Sequence, residues 1–137
     1  MKKTKNRYSE VADTKPWIGV DLDGCIAEYH GWTTSATDIG KPVPLMVERV
    51  KTWLEEGVLV KIFTARIDIK DPELLNQVVC AIQFWCKKHI GAILPITATK
   101  DYAMIQLWDD RCVQVIPNTG VIVGDHYQIY ELPKPKD

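Results

Sequence analysis

Short apolar runs of strand length alternate along this chain with stretches of helical period, and that alternation limits the fold more than any other feature. Trp17-Ile-Gly-Val-Asp21, Val58–Phe63 and Met104–Trp108 read as strands, each ending in a polar turn. Between the first two, Leu45, Val47, Val50 and Leu54 recur about once per helical turn. Pro44 suits the first turn of that helix and Gly57 its end. A second helix opens at Asp71-Pro72, with Asp71 as its cap, and runs through Leu75, Val78, Val79, Ile82, Phe84 and Trp85 to about Lys88. Phe84, Trp85 and Trp53 are expected to face the core. Ile93-Leu94 reads as a further short strand, and Cys112–Ile116, Val121–Val123 and Tyr127–Leu132 as β-like runs. Strand, helix, strand, helix, strand is the order of an α/β domain with a central, mostly parallel sheet.

The length of 137 residues suits one domain. Residues 1–16 form a polar N-terminal arm, 17–132 the folded domain with a small flap near 28–43, and 133–137 a C-terminal tail. The formal net charge of -1 gives no large positive field for a nucleic-acid backbone. Cys25, Cys80, Cys86 and Cys112 are scattered, and none makes the close pair that zinc sites use. No apolar run is long enough to cross a bilayer. The expected setting is a reducing cytoplasm with free thiols.

Asp21, Thr64 and Asp109 all follow strands, and the loops at the carboxyl ends of parallel strands converge on one sheet edge. Asp21-Leu-Asp23 offers two carboxylates at alternate positions. Asp21 suits a nucleophile that attacks phosphorus, and Asp23 a general acid and base. Asp109 and Asp110 supply hard oxygen ligands of the kind Mg2+ prefers. Lys100 adds a positive charge near Asp21. Thr64 offers a hydroxyl and a backbone N–H to phosphate oxygens, within a substrate-binding stretch of Thr64, Ala65 and Arg66. Gly24 permits close backbone approach. Arg66 either clamps a distal phosphate or carboxylate of the substrate, or pairs with Asp68 or Asp110. Each residue alone has an ordinary role, as a turn aspartate, a capping threonine or a solvated lysine. Their joint order is what points to chemistry.

These residues resemble the motifs of the haloacid dehalogenase-like superfamily of magnesium-dependent phosphatases and phosphotransferases. Asp21-Leu-Asp-Gly-Cys25 is similar to the first motif, Phe63-Thr64 to the second, Lys100 to the third and Leu107-Trp-Asp109-Asp110-Arg111 to the acidic fourth. The resemblance runs from about Trp17 to about Asn118. It is nearer to small capless members with an Asp-Asp-Arg segment and a turn like Pro117-Asn-Thr-Gly120. It implies a three-layer α/β/α Rossmann-like fold with a minimal cap. It also implies Asp21 as nucleophile, Asp23 as acid/base, and a metal site of Asp21, Asp109, Asp110 and the Asp23 backbone carbonyl. One departure is Cys25, where the family commonly has threonine; a thiol is a weaker donor for bracing the loop.

The expected activity is magnesium-dependent phosphomonoester hydrolysis through an aspartyl-phosphate on Asp21. The expected partner is a small phosphorylated substrate, a nucleotide or another metabolite. A phosphorylated nucleic-acid end, and a second subunit covering the open site, stay open as alternatives. So do transfer to an acceptor other than water, and a silent phosphate- or metal-binding regulator. Tyr29, His30 and Trp32 in the flap either touch the leaving group or pack against their own loop.

Overall fold

The computed structural model describes residues 15–31 and 35–124. The expectations for the arm, Trp32, the run at Tyr127–Leu132 and the tail lie outside them, but for Lys15 and Pro16. The described elements are β1 (Trp17–Asp21), α1 (Pro44–Glu55), β2 (Leu59–Phe63), a 3-10 turn at Ala65–Ile67, α2 (Pro72–His89), β3 (Ile96–Thr97) and β4 (Met104–Trp108). The four strands lie in the order β3-β2-β1-β4, and every neighbouring pair is parallel.

Alternation along the strands decides which side chains meet the helices. Ile18, Val20, Val60 and Ile62 point to one face and form a single core with Met46, Val47 and Val50 of α1 and Val78, Ile82, Trp85 and Cys86 of α2. Both crossover helices therefore cover the same face, as two right-handed crossovers leading in one direction across a sheet require. The other face carries Trp17, Gly19, Lys61 and Leu107. A Cβ on Gly19 would meet Trp17, Leu107 and Met104 at 3.1–3.4 Å, and the Lys61 ammonium lies 4.5 Å from the Trp17 ring. Among the described residues no helix covers this second face, so the third layer of the expected fold is not seen among them.

The helix signals act where the sequence places them. Pro44 occupies the first turn of α1, and Gly57 takes a φ of 82° just beyond its end. Asp71 caps α2 by accepting a hydrogen bond from the Glu73 N–H at 3.1 Å. Three expectations need correction. Phe84 is 71 % exposed, because the buried stripe of α2 follows Val78, Ile82, Trp85 and Cys86, and Phe84 falls outside it. Leu45 is likewise exposed, and the buried stripe of α1 begins at Met46. The short strand after α2 is Ile96–Thr97, not Ile93-Leu94. Pro95 has no N–H to give, but its carbonyl accepts from the Ile62 N–H at 2.8 Å, and pairing starts from there.

The 28–43 segment contains no helix or ladder strand among its described residues. Its base is closed by hydrogen bonds from the Glu28 N–H to the Lys41 carbonyl and from the Val43 N–H to the Ile26 carbonyl, both 2.8 Å. A Cβ on Gly40 would overlap the Glu28 carbonyl, so only glycine fits there. The loop is anchored to α2 by the Trp85 indole N–H, which donates to the Gly40 carbonyl at 2.9 Å. After β4, Val115 and Ile122 face each other across a short antiparallel turn built on Pro117–Gly120.

Candidate functional site

The carboxyl end of β1 opens into a tight loop. The Gly24 N–H donates to the Ala27 carbonyl at 2.8 Å, and the Ala27 N–H returns to the Leu22 carbonyl at 2.9 Å. This turn sets Asp21 and Asp23 at the sheet edge. Beside it, β4 pairs Gly19 with Leu107 and Val20 with Trp108. The next residues along are Asp21 and Asp109. That alignment depends on one irregularity: Trp17 pairs with Met104 but Ile18 with Gln106, so Ile105 is passed over. If the pairing ran on through Ile105 without this irregularity, Trp108 would stand opposite Asp21.

Asp21, Asp109 and Asp110 consequently converge, each offering a carboxylate oxygen within 4.8 Å of the others. The three form a cluster able to coordinate a metal ion. Burial, a hydrogen bond shared with the Asp110 carboxyl, and the nearby charges of Asp109, Asp110 and Asp23 push Asp21 up to about 8. An all-oxygen donor set under this mutual repulsion is the electrostatic condition that a hard divalent cation relieves, so the residues fit such an ion. Asp109 is held by a turn in which its Oδ1 accepts from the Arg111 N–H at 2.7 Å. Gly24, at φ 85°, lies directly under Asp110: a Cβ there would come within 2.5 Å of Oδ2.

Asp23 is not part of this cluster. Its Oδ2 accepts from Arg66 Nε at 2.7 Å and its Oδ1 from Nη2 at 2.9 Å. The Arg66 pairing expected with Asp68 or Asp110 is thus made with Asp23 instead. The third arm, Nη1, donates to the Ala36 carbonyl at 2.7 Å. The reason is the 3-10 turn after β2, where the Thr64 hydroxyl accepts from the Arg66 N–H at 3.1 Å and turns Arg66 inward. Sequence reasoning offered no way to choose Asp23 as the partner. The signal present was an arginine two residues beyond a strand-end threonine.

Thr64 is buried one step beyond Phe63, which pairs with Asp21. Its backbone N–H donates to the Thr97 carbonyl at 2.9 Å, so the expected N–H contact to phosphate is already spent on β3. The hydroxyl, having accepted from Arg66, keeps its own hydrogen to donate. Ala65 is exposed at the head of the turn. Lys100 is exposed, and no described hydrogen bond or ion pair joins it to Asp21. The structure brings together Asp21, Asp109 and Asp110 in one cluster and Asp23 and Arg66 in another. It does not bring Lys100 into contact with either.

Cys25 is unsuited to nucleophilic attack. Its thiol donates to the Trp108 carbonyl at 3.5 Å, and burial with the charges of Asp21, Asp109 and Asp110 pushes it up to about 12. It braces the loop against β4. A cavity of about 690 Å³ adjoins Arg66, walled by Tyr29, His30, Asp38, Lys41 and neighbouring loop residues.

No family model matches the chain, and no curated protein matches it. Among solved structures it is similar to a conserved protein from Bacteroides thetaiotaomicron, with 24 % identity, 77 % of this chain and 84 % of the other covered, and a TM-score of 0.49. A likeness of that size carries nothing about the site. No helix among the described residues is long and apolar enough to cross a membrane.

Proposed function

We propose that this chain is a magnesium-dependent phosphomonoester hydrolase of the haloacid dehalogenase-like type, with Asp21 as nucleophile. The observation that carries the reading is the convergence of Asp21, Asp109 and Asp110 at the carboxyl ends of adjacent parallel strands. Asp23 stands in the same turn, and the Thr64 hydroxyl at the end of the next strand.

Asp21, Asp109, Asp110 and the Asp23 backbone carbonyl would hold Mg2+. When bound, the ion neutralises the clustered carboxylates and the phosphate oxygens beside them. The chain's own groups account for the rest. The ionised Asp21 carboxylate attacks phosphorus, and the bond to the leaving oxygen breaks. Asp23 gives that oxygen its proton. Asp23 then takes a proton from water, whose oxygen attacks the phosphoryl group. Inorganic phosphate leaves and Asp21 is restored. The Thr64 hydroxyl donates to a phosphate oxygen throughout. Lys100 has an exposed side chain with which to reach a bound phosphate. The cavity beside Arg66, at about 690 Å³, is within the size range that holds a nucleotide or sugar leaving group.

The test is phosphate release from nucleoside monophosphates, sugar phosphates and phosphorylated oligonucleotide ends, with magnesium and with excess chelator. Release that needs magnesium and is lost in Asp21→Asn is the expected result. Equal release by Asp21→Asn removes Asp21 as the nucleophile. No release from any substrate turns the reading toward a phosphate- and metal-binding protein without turnover, which the Asp23–Arg66 pairing would suit.

A further inference from the structure

Arg66 is the only buried charged side chain among the described residues. A guanidinium in that position is costly unless its N–H groups meet acceptors of suitable geometry. Here one planar group serves two distant segments. Its Nε and Nη2 grip both oxygens of Asp23, 43 residues away, while Nη1 holds the Ala36 carbonyl, 30 residues away. Arg66 also lines the cavity walled by Tyr29, His30 and Lys41. The paired contacts to Asp23 use two of the roughly four lone-pair positions on its carboxyl oxygens, leaving another to carry the proton that passes to the leaving oxygen.

We propose that Arg66 is a positioning residue. It sets where the Asp23 carboxyl stands, and through Ala36 it makes that placement depend on the loop that walls the leaving-group cavity. A lysine cannot do this, because a single ammonium cannot reproduce a planar fork and a third directed bond. The role of Asp23 in this inference rests on the hydrolase reading; the mechanical coupling of Asp23 to the loop does not.

Two measurements separate these parts. The first is kcat/KM for a series of phosphate esters from p-nitrophenyl phosphate, whose leaving group needs little protonation, to alkyl phosphates, whose leaving group needs it fully. Arg66→Gln and Arg66→Lys should both lose about 100-fold on alkyl phosphates, the usual size of an acid-catalytic contribution. On p-nitrophenyl phosphate they should lose far less. Arg66→Gln combined with Asp23→Asn should lose no more than Asp23→Asn alone. A loss uniform across the series, or one that adds fully in the double variant, overturns the positioning role. The second measurement is deuterium exchange of the 35–41 segment, where the Asp38 N–H is bonded to the Ser35 carbonyl at 3.1 Å. Asp23→Asn should raise exchange there as Arg66→Gln does, and Asp109→Asn should not. Unchanged exchange in Asp23→Asn overturns the coupling. Exchange that responds in a protein releasing no phosphate from any ester sinks the hydrolase reading and keeps the coupling.

Discussion

Gly24 illustrates how much of the site hangs on single backbone positions. An alanine there meets two separate obstacles. A side chain at φ 85° is strained, by about 1–2 kcal/mol. The new Cβ also falls 2.5 Å from Asp110 Oδ2. That carboxylate is the movable end of an exposed side chain, so it gives way, and in doing so leaves the neighbourhood of Asp21. Gly24→Ala should therefore cost about 1–2 kcal/mol of stability and roughly 10-fold in magnesium affinity. Urea denaturation and isothermal titration would measure the two separately. Stability lost with affinity intact would mean that Asp110 contributes little to holding the ion. Gly24 was legible in sequence as a place needing no side chain, but not for the reason found: the space above it belongs to Asp110.

At the scale of elements, the strands and helices that carry the core were readable because most of their buried positions recur with a regular period, Leu45 and Phe84 excepted. Pro44 and Gly57 bound α1 and Asp71 caps α2 in the expected places, and β1, β2 and β4 are apolar runs that end in polar turns. What could not be read were features set by a partner distant in sequence. Arg66 finds Asp23 only because the 3-10 turn swings it inward. The β3 pairing begins at a proline carbonyl, which no strand propensity reports. The anchoring of the 28–43 loop by Trp85 was equally hidden, since a buried tryptophan on a helix stripe already has a sufficient role in the core. Trp85→Phe keeps most of the apolar bulk but removes the donor to the Gly40 carbonyl. It should cost about 0.5–1.5 kcal/mol, the net contribution of one hydrogen bond, because the Gly40 carbonyl is only part-buried. A shift in the urea midpoint would measure it, and no shift would show that water replaces the indole N–H without penalty.

For the whole molecule, the strongest consequence of the site is on stability against pH. Asp21 is pushed up to about 8 in the fold, from an ordinary value near 3.8. Between those values the folded chain binds a proton that the unfolded chain does not, so stability should fall as pH rises from about 4 through about 8. The fall should be seen in chelator, should shrink when magnesium is added, and should be absent in Asp21→Asn. Thermal melts at pH 6 and pH 9 with and without magnesium would check it; melts unchanged by pH in chelator would show that the three carboxylates do not strain one another. The same cluster has a second consequence through Ile105, the residue that β4 passes over in pairing with β1. One inserted residue sets the phase of everything downstream, so the meeting of Asp109 with Asp21 is an arithmetic property of the strand as much as a chemical property of its acids. A variant whose β4 slips by one position against β1 should therefore lose the carboxylate cluster while its overall helix and sheet content stays the same.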